Sequence, residues 1–326
     1  MNLRDAIDDA GLSRHANFLE RLAKPSIRLI ASRVAESETL PVGASRTDGV
    51  PDLPEGTTWA CRSDGETRPA GWDARSDRSS PASSLPFLAQ INFAEVAALN
   101  VPDSNLPLDG LLLVWVDTDT GACQLRYTTV EGIRLRPTTF PDDLPEENRY
   151  PAHRLVPQTE ITLPYYGVHG TIGGGIGDRY NMPSFFDSLD PGSVPGMLTD
   201  EEAGRYKQLR SNIAIPAIRR GMPESDSHRL LGHADIIQNP MILDCEVNGS
   251  DFPYDFTTLC DVKDPLTQRL IARARDSEWT LLLQIDSVSG ADGMMWGDGG
   301  THYWWIKRAD LLRRDFSAVR YDLQTG

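Results

Sequence analysis

The chain is poor in the residues that announce chemistry. Of 326 residues only six are His and four are Cys, and Cys61, Cys123, Cys245 and Cys260 include no C-x-x-C pair, which argues against zinc ribbons and thioredoxin-like sites. Each cysteine is expected to pack as a small buried hydrophobe. Positive charge is also short, with 32 Lys plus Arg against 47 Asp plus Glu and a net charge of −15. That balance argues against nucleic acid and against an anionic membrane surface as partners. Apolar runs such as Leu111 to Val116 are far too short to cross a bilayer. The opening Met1-Asn2-Leu3-Arg4-Asp5-Ala6 has charges of both signs and no apolar stretch of a secretory signal, so a cytoplasmic, reduced protein is expected. No G-x-S-x-G elbow occurs, and Gly173-Gly174-Gly175-Ile176-Gly177 lacks the Lys-Ser or Lys-Thr of a phosphate loop.

What is present is an ordinary globular composition, 40% hydrophobic and 24% charged, long enough for two domains or one large unit. Leu3, Ile7, Leu12, Phe18 and Leu22 recur at helical spacing, and Pro25 follows as a stop, so 1–25 reads as a helical segment. Residues 26–138 form a first half. Within it, Thr39 to Ser84 is dense in Gly, Pro, Ser and Asp, and Gly65 to Ser84 reads as a surface loop. A strand at Leu85 to Ile91 runs into a short helix capped by Asn92, with Glu95 at capping-box spacing. Gly110 to Asp117 reads as a strand covered on both faces, and Gln124 to Thr129 and Gly132 to Arg136 as shorter strands. Residues 139–227 read as an irregular, acidic excursion rich in Gly and Pro, carrying Asp142, Asp143, Glu146, Glu147, Asp200, Glu201 and Glu202. A second half spans 228–326. Its end, with an aromatic strand at Thr301 to Ile306 and a helix at Arg308 to Phe316, is near charge balance or basic, so the acidity is regional.

The two halves share an ordered set of motifs. Gly49-Val50-Pro51-Asp52-Leu53 precedes Leu88-Ala89-Gln90-Ile91-Asn92 and the strand ending at Asp117, just as Gly232-His233-Ala234-Asp235-Ile236 precedes Leu282-Leu283-Gln284-Ile285-Asp286 and Thr301 to Ile306. Asp52 stands 38 positions before Gln90, and Asp235 stands 49 before Gln284. The expectation is an α+β fold, internally duplicated, with two similar halves, largely antiparallel sheets and short helices.

The run from Gly49 to Trp59, Pro86 to Asn92, Leu231 to Gln238, Trp279 to Asp286 and Met295-Trp296-Gly297-Asp298-Gly299-Gly300 resembles the YwqG-like family of bacterial proteins over roughly Ser26 to Gln324. Two positions depart from it: the family usually has Gly-Gly where this chain has Asp48-Gly49, and Trp-Pro where it has Trp59-Ala60, so the first-half loop is expected to be shaped differently. The resemblance implies an α+β fold of unknown function. Some members are encoded near secreted-toxin systems, which implies an immunity or binding role.

Side chains alternate along a strand, so Leu88, Gln90 and Asn92 share one face, as do Leu282, Gln284 and Asp286. Two readings stand: Gln90 and Gln284 pin the Asp52 and Asp235 turns, or Gln90, Asn92, Gln284, Asp286, Trp296 and Asp298 line a shared ligand or partner groove. His228, His233, Asp235, Asp286, Asp292, Asp298 and His302 supply imidazole and carboxylate groups. The five-residue spacing from His228 to His233 does not match a helical metal motif, so no metal and no cofactor is expected. The leading functional expectation is a non-enzymatic protein- or ligand-binding protein, such as an immunity-type protein meeting a basic toxin with its acidic middle. The alternative is a hydrolase-like enzyme with Asp286, Asp298, His302, His233 and Asp235 in one cleft.

Overall fold

The computed structural model describes residues 2–35, 37–62, 84–118, 121–164, 198–213, 227–237, 241–247, 265–288 and 294–325. The Gly65 to Ser83 loop, the glycine run at 173–177, Asp292 and Cys260 lie outside them. Two compact units interleave along the chain, one from Met1–Pro25, Glu160–Met222 and Gly232–Trp279, the other from Ser26–Thr159, Pro223–Leu231 and Thr280–Gly326.

The first unit is helical. Helices α1 (Leu3–Asp9) and α2 (Ala16–Leu22) form where the periodic apolar residues predict them, with Asn2 capping α1. Ile7, Leu12 and Leu19 pack against Leu163, Tyr206 and Leu209. The last two side chains come from α4 (Asp200–Ile213), inside the segment read as irregular. That helix opens on a capping box: Glu202 N–H donates to the Thr199 hydroxyl and Thr199 N–H donates to the Glu202 carboxylate. Charge density at Asp200-Glu201-Glu202 is therefore a helix start, where acidic groups complement the exposed N–H groups. Helices α5 (Met241–Val247) and α6 (Pro265–Arg275) complete the unit's described helices.

The second unit is built on a large antiparallel sheet. Its strands are β1 (Lys24–Arg33), β2 (Arg46–Thr47), β4 (Phe87–Asn92), β5 (Leu111–Asp117), β6 (Ala122–Thr128), β8 (His153–Thr162), β9 (Arg229–Leu231), β10 (Trp279–Asp286), β11 (Thr301–Lys307) and β12 (Arg320–Gln324). The order is β12-β11-β10-β9-β1-β8-β2-β4-β5-β6, and a separate ribbon pairs β3 (Asp52–Pro54) with β7 (Leu135–Pro137). The apolar run in β5 is covered on both faces, as read: Leu112, Val114 and Val116 join the main core, and Leu111, Leu113 and Trp115 a second one. The central strands β1 and β8 fall where sequence reading placed a helix stop and an irregular excursion.

Helix α3 (Phe93–Ala97) follows β4, and the Asn92 side chain accepts from Ala94 N–H at 2.9 Å. The capping box read there is incomplete, because the Glu95 carboxylate accepts from Ser45 N–H and the Asn92 N–H donates to the Ser45 hydroxyl. Helix α7 (Arg308–Leu312) ends four residues short of Phe316. Of the described cysteines, Cys123 and Cys245 are buried and Cys61 is exposed.

Glu202 also receives a hydrogen bond from Arg14. That bond, then the one from Thr199 N–H, holds its carboxyl down to about 2 from the ordinary 4.5. A depressed carboxyl stabilises the fold above its unfolded pKa and ceases to do so as pH falls through its folded one. Glu202→Gln is expected to lower the thermal midpoint at neutral pH. The gap from wild type should close between pH 4.5 and 2 in calorimetric scans.

Candidate functional site

In the first half, Gln90 is fully buried on β4 and works as a strut. Its side-chain oxygen accepts from Asp52 N–H at 2.8 Å, while its amide donates to Ala44 C=O at 2.9 Å and the Asp52 carboxylate at 3.0 Å. The same Asp52 oxygen accepts from Gly43 N–H at 2.7 Å and from the Arg46 guanidinium at 2.5 Å. Gln90 thus pins the Asp52 turn, the first of the two readings. Asn92 caps α3 and donates to Gly43 C=O.

In the second half, Gln284 is buried on β10 and donates to Ser227 C=O at 2.8 Å. Asp286, at the end of that strand, accepts from Ser227 N–H at 3.2 Å, Ser287 N–H at 2.9 Å and the Thr301 hydroxyl at 2.6 Å. Three donors fix that carboxylate as a clasp between β10, β11 and the segment entering β9. His302 is buried on β11, its Nδ1 2.7 Å from the Tyr321 hydroxyl, and its ring contacts those of Trp296, Trp304 and Tyr321. Burial pushes the imidazole down to about 3 and the phenol above its ordinary value. His302 is therefore neutral and fixed at physiological pH. Trp296 is buried, while Asp298 is exposed on the turn that Gly297 and Gly299 allow by taking positive φ.

His233 and Asp235 belong to the helical unit. The His233 Nε2 donates to Leu22 C=O at 2.7 Å, and Asp235 pairs with Arg210 at 2.8 Å. Gln90 and Gln284 stand on strands five spacings apart in the sheet order. At about 4.8 Å per spacing that is roughly 24 Å, so the two glutamines do not meet in one groove. Among the described residues, no three His, Cys, Asp or Glu groups come together to hold a metal.

The structure brings together another set. Asp48 and Gly49 follow β2 in the left-handed region, with φ of 62° and 69°. A Gly-Gly pair would take this turn without strain, and a Cβ on Gly49 would stand 2.8 Å from that of Ala152. The Asp48 carboxyl is 1% exposed and lies 3.5 Å from Nδ1 of buried His153 on β8, beyond good hydrogen-bonding distance. Thr47 Oγ1, Asp48 Oδ1, His153 Nδ1 and His228 Nε2 are all buried without a hydrogen-bond partner among the described residues. Burial pushes Asp48 up to about 6, against the opposing pull of His153 and Thr47. Burial, then the charges of Arg28 and His153, push His228 down to about 3. The His228 Nδ1 accepts from Asp286 N–H at 3.0 Å, so its ring proton sits on Nε2. Sequence reading singled out His228 but not Asp48 or His153. The available signal was Asp48 standing where the resembling family has glycine.

Gln90→Ala would leave the Asp52 N–H and the Ala44 carbonyl unpaired in the core, and is expected to cost about 2–4 kcal/mol in urea unfolding. Arg46→Met, which strands the Asp52 carboxylate, should cost about 3–5 kcal/mol. A loss under about 1 kcal/mol for both would refute the strut.

No curated protein matches this chain. A family model described as a domain of unknown function, DUF1963, matches residues 45–325, a span that takes in the β2 turn, the Gln90 and Gln284 strands and the Trp296 turn. The chain belongs to that family.

Proposed function

We propose that this chain is a non-enzymatic, cytoplasmic binding protein whose partner is a basic protein, in the manner of an immunity protein meeting a cationic toxin. The observation that carries the reading is a division of labour among acidic groups. Asp286, Asp52 and Glu202 are engaged inside the scaffold, whereas Asp142, Glu146 and Glu147 are exposed on the segment between β7 and β8. No ion pair to those three occurs among the described residues. Their neighbour Asp143 anchors the segment by accepting from Ser84 N–H and its hydroxyl at 2.8 and 2.9 Å. A held, unpaired acidic segment speeds encounter with a cationic surface most at low salt. The hydrolase-like alternative has less support, since Asp286 is clasped by three donors, His302 is held neutral, and His233 and Asp235 are bonded within the helical unit. The YwqG-like resemblance, with its implied immunity role, points the same way.

Internal duplication belongs to the same proposal. Arg46 stands opposite Gln90 in the β2–β4 register and Arg229 opposite Gln284 in the β9–β10 register. Each arginine is followed two residues on by a left-handed pair, Asp48-Gly49 and Leu231-Gly232. The strand order also runs outward in chain order from the central pair, through β2, β4, β5 and β6 on one side and β9, β10, β11 and β12 on the other.

The test is charge reversal. Basic proteins retained by the immobilised chain at low ionic strength are identified, purified and titrated against wild type and the triple variant Asp142→Lys, Glu146→Lys, Glu147→Lys. Binding by wild type that is lost at high salt and weakened at least about tenfold by reversal is expected. Equal binding by both chains, or a small molecule copurifying in place of any basic protein, would sink the proposal.

A further inference from the structure

The turn after β2 carries a buried carboxyl that packing does not explain. Asp48 and Gly49 are consecutive left-handed residues, a conformation that aspartate visits more readily than most side chains. The carboxyl carried there is buried, with one oxygen unpartnered and the other 3.5 Å from the His153 imidazole. The turn is tied down by two backbone bonds, Asp48 N–H to Leu88 C=O at 2.9 Å and Gly49 N–H to Tyr150 C=O at 3.0 Å. A buried ionised carboxylate without a hydrogen-bonded counter-charge is unstable, whereas the same group carrying its proton is neutral.

We propose that Asp48 is a proton-operated latch on the β2 turn: with its buried carboxyl protonated the left-handed turn stays closed on the sheet, and loss of that proton drives it open. Among the described residues, the titratable and charged groups around Asp48 are few. Thr47 lies beside the carboxyl on its own strand, and β8 contributes His153, which faces Thr47 across the register. The segment entering β9 contributes His228, neutral and with its proton fixed on Nε2, so it does not compete for the Asp48 proton. Strand β1 contributes Arg28, whose constant charge acts on this cluster through His228. From β4 the turn meets the Leu88 carbonyl.

The sign follows from linkage. Asp48 binds its proton more tightly in the closed turn, near pH 6, than in an open, hydrated one with an ordinary carboxyl pKa of 3.8. Between those values the closed state holds more protons, so opening becomes more favourable as pH rises, by about tenfold between pH 5 and 8.

Hydrogen exchange of the Asp48 and Gly49 amides, corrected for the intrinsic pH dependence of exchange, reads that opening directly. In wild type both amides should lose about tenfold in protection from pH 5 to 8, while Val114 in the β4–β5 ladder stays unchanged. Asp48→Gly, which fits the turn and removes the carboxyl, should abolish the pH dependence. Asp48→Asn should do the same and serves if the glycine variant folds poorly. Protection at 48 and 49 that is flat with pH in wild type, or equally pH-dependent in the variants, would overturn the latch.

Discussion

One oxygen of Asp52 organises the first half of the sheet. Its Oδ2 accepts from Gly43 N–H, Gln90 and Arg46 at once, so a single carboxylate ties β3, β2, β4 and the loop before β2 together. An ionised group at this depth is tolerated only because donors replace its water shell, and removing one partner leaves an uncompensated charge. Gly43, Arg46, Asp52 and Gln90 are thus mutually dependent. The direction of the chain through Gly43 to Pro54 follows from satisfying that one charge.

The buried glutamine of β10 stands in a network of its own. Gln284 stands opposite Arg229 as Gln90 stands opposite Arg46, but its amide donates to Ser227 C=O. The clasping carboxylate is Asp286, two residues on and sharing the strand face of Gln284. Its donors include Ser227 N–H, Ser287 N–H and the Thr301 hydroxyl. A half-buried carboxylate draws part of its solvation from water. Asp52 has no exposure and needs a full positive charge within hydrogen-bonding distance.

Sequence pattern revealed those parts of the fold where local signals agree. The apolar runs of β4, β5, β10 and β11, the Asn92 cap and the amphipathic α1 and α2 each combine periodicity with a start or stop signal. The two central strands were not legible. Strand β1 begins Lys24-Pro25 and carries buried Arg28, and β8 carries Pro157 and buried Glu160 among exposed residues. Polar residues in mid-sheet erase the alternation that identifies a strand, and what makes them acceptable lies in other parts of the chain. The same limit applied to the candidate site. Gln90 and Asp52 were legible as a pair because an amide in an apolar strand demands a partner. Asp48 and His153 are 105 positions apart in sequence and meet only through the register of β2 against β8.

The energetic weight of Asp48 decides how it should be read. The left-handed backbone is a small cost at Asp48, since aspartate visits it more readily than most side chains. Raising a carboxyl from 3.8 to about 6 adds about 3 kcal/mol of differential solvation above pH 6. Together these are a sizeable fraction of the roughly 5–15 kcal/mol by which a domain is stable. Glycine would avoid both terms, and the opposing pull of His153 and Thr47 offsets the burial of the carboxyl only in part. A carboxyl that its surroundings do not fit when ionised is accounted for by its protonation rather than by its packing.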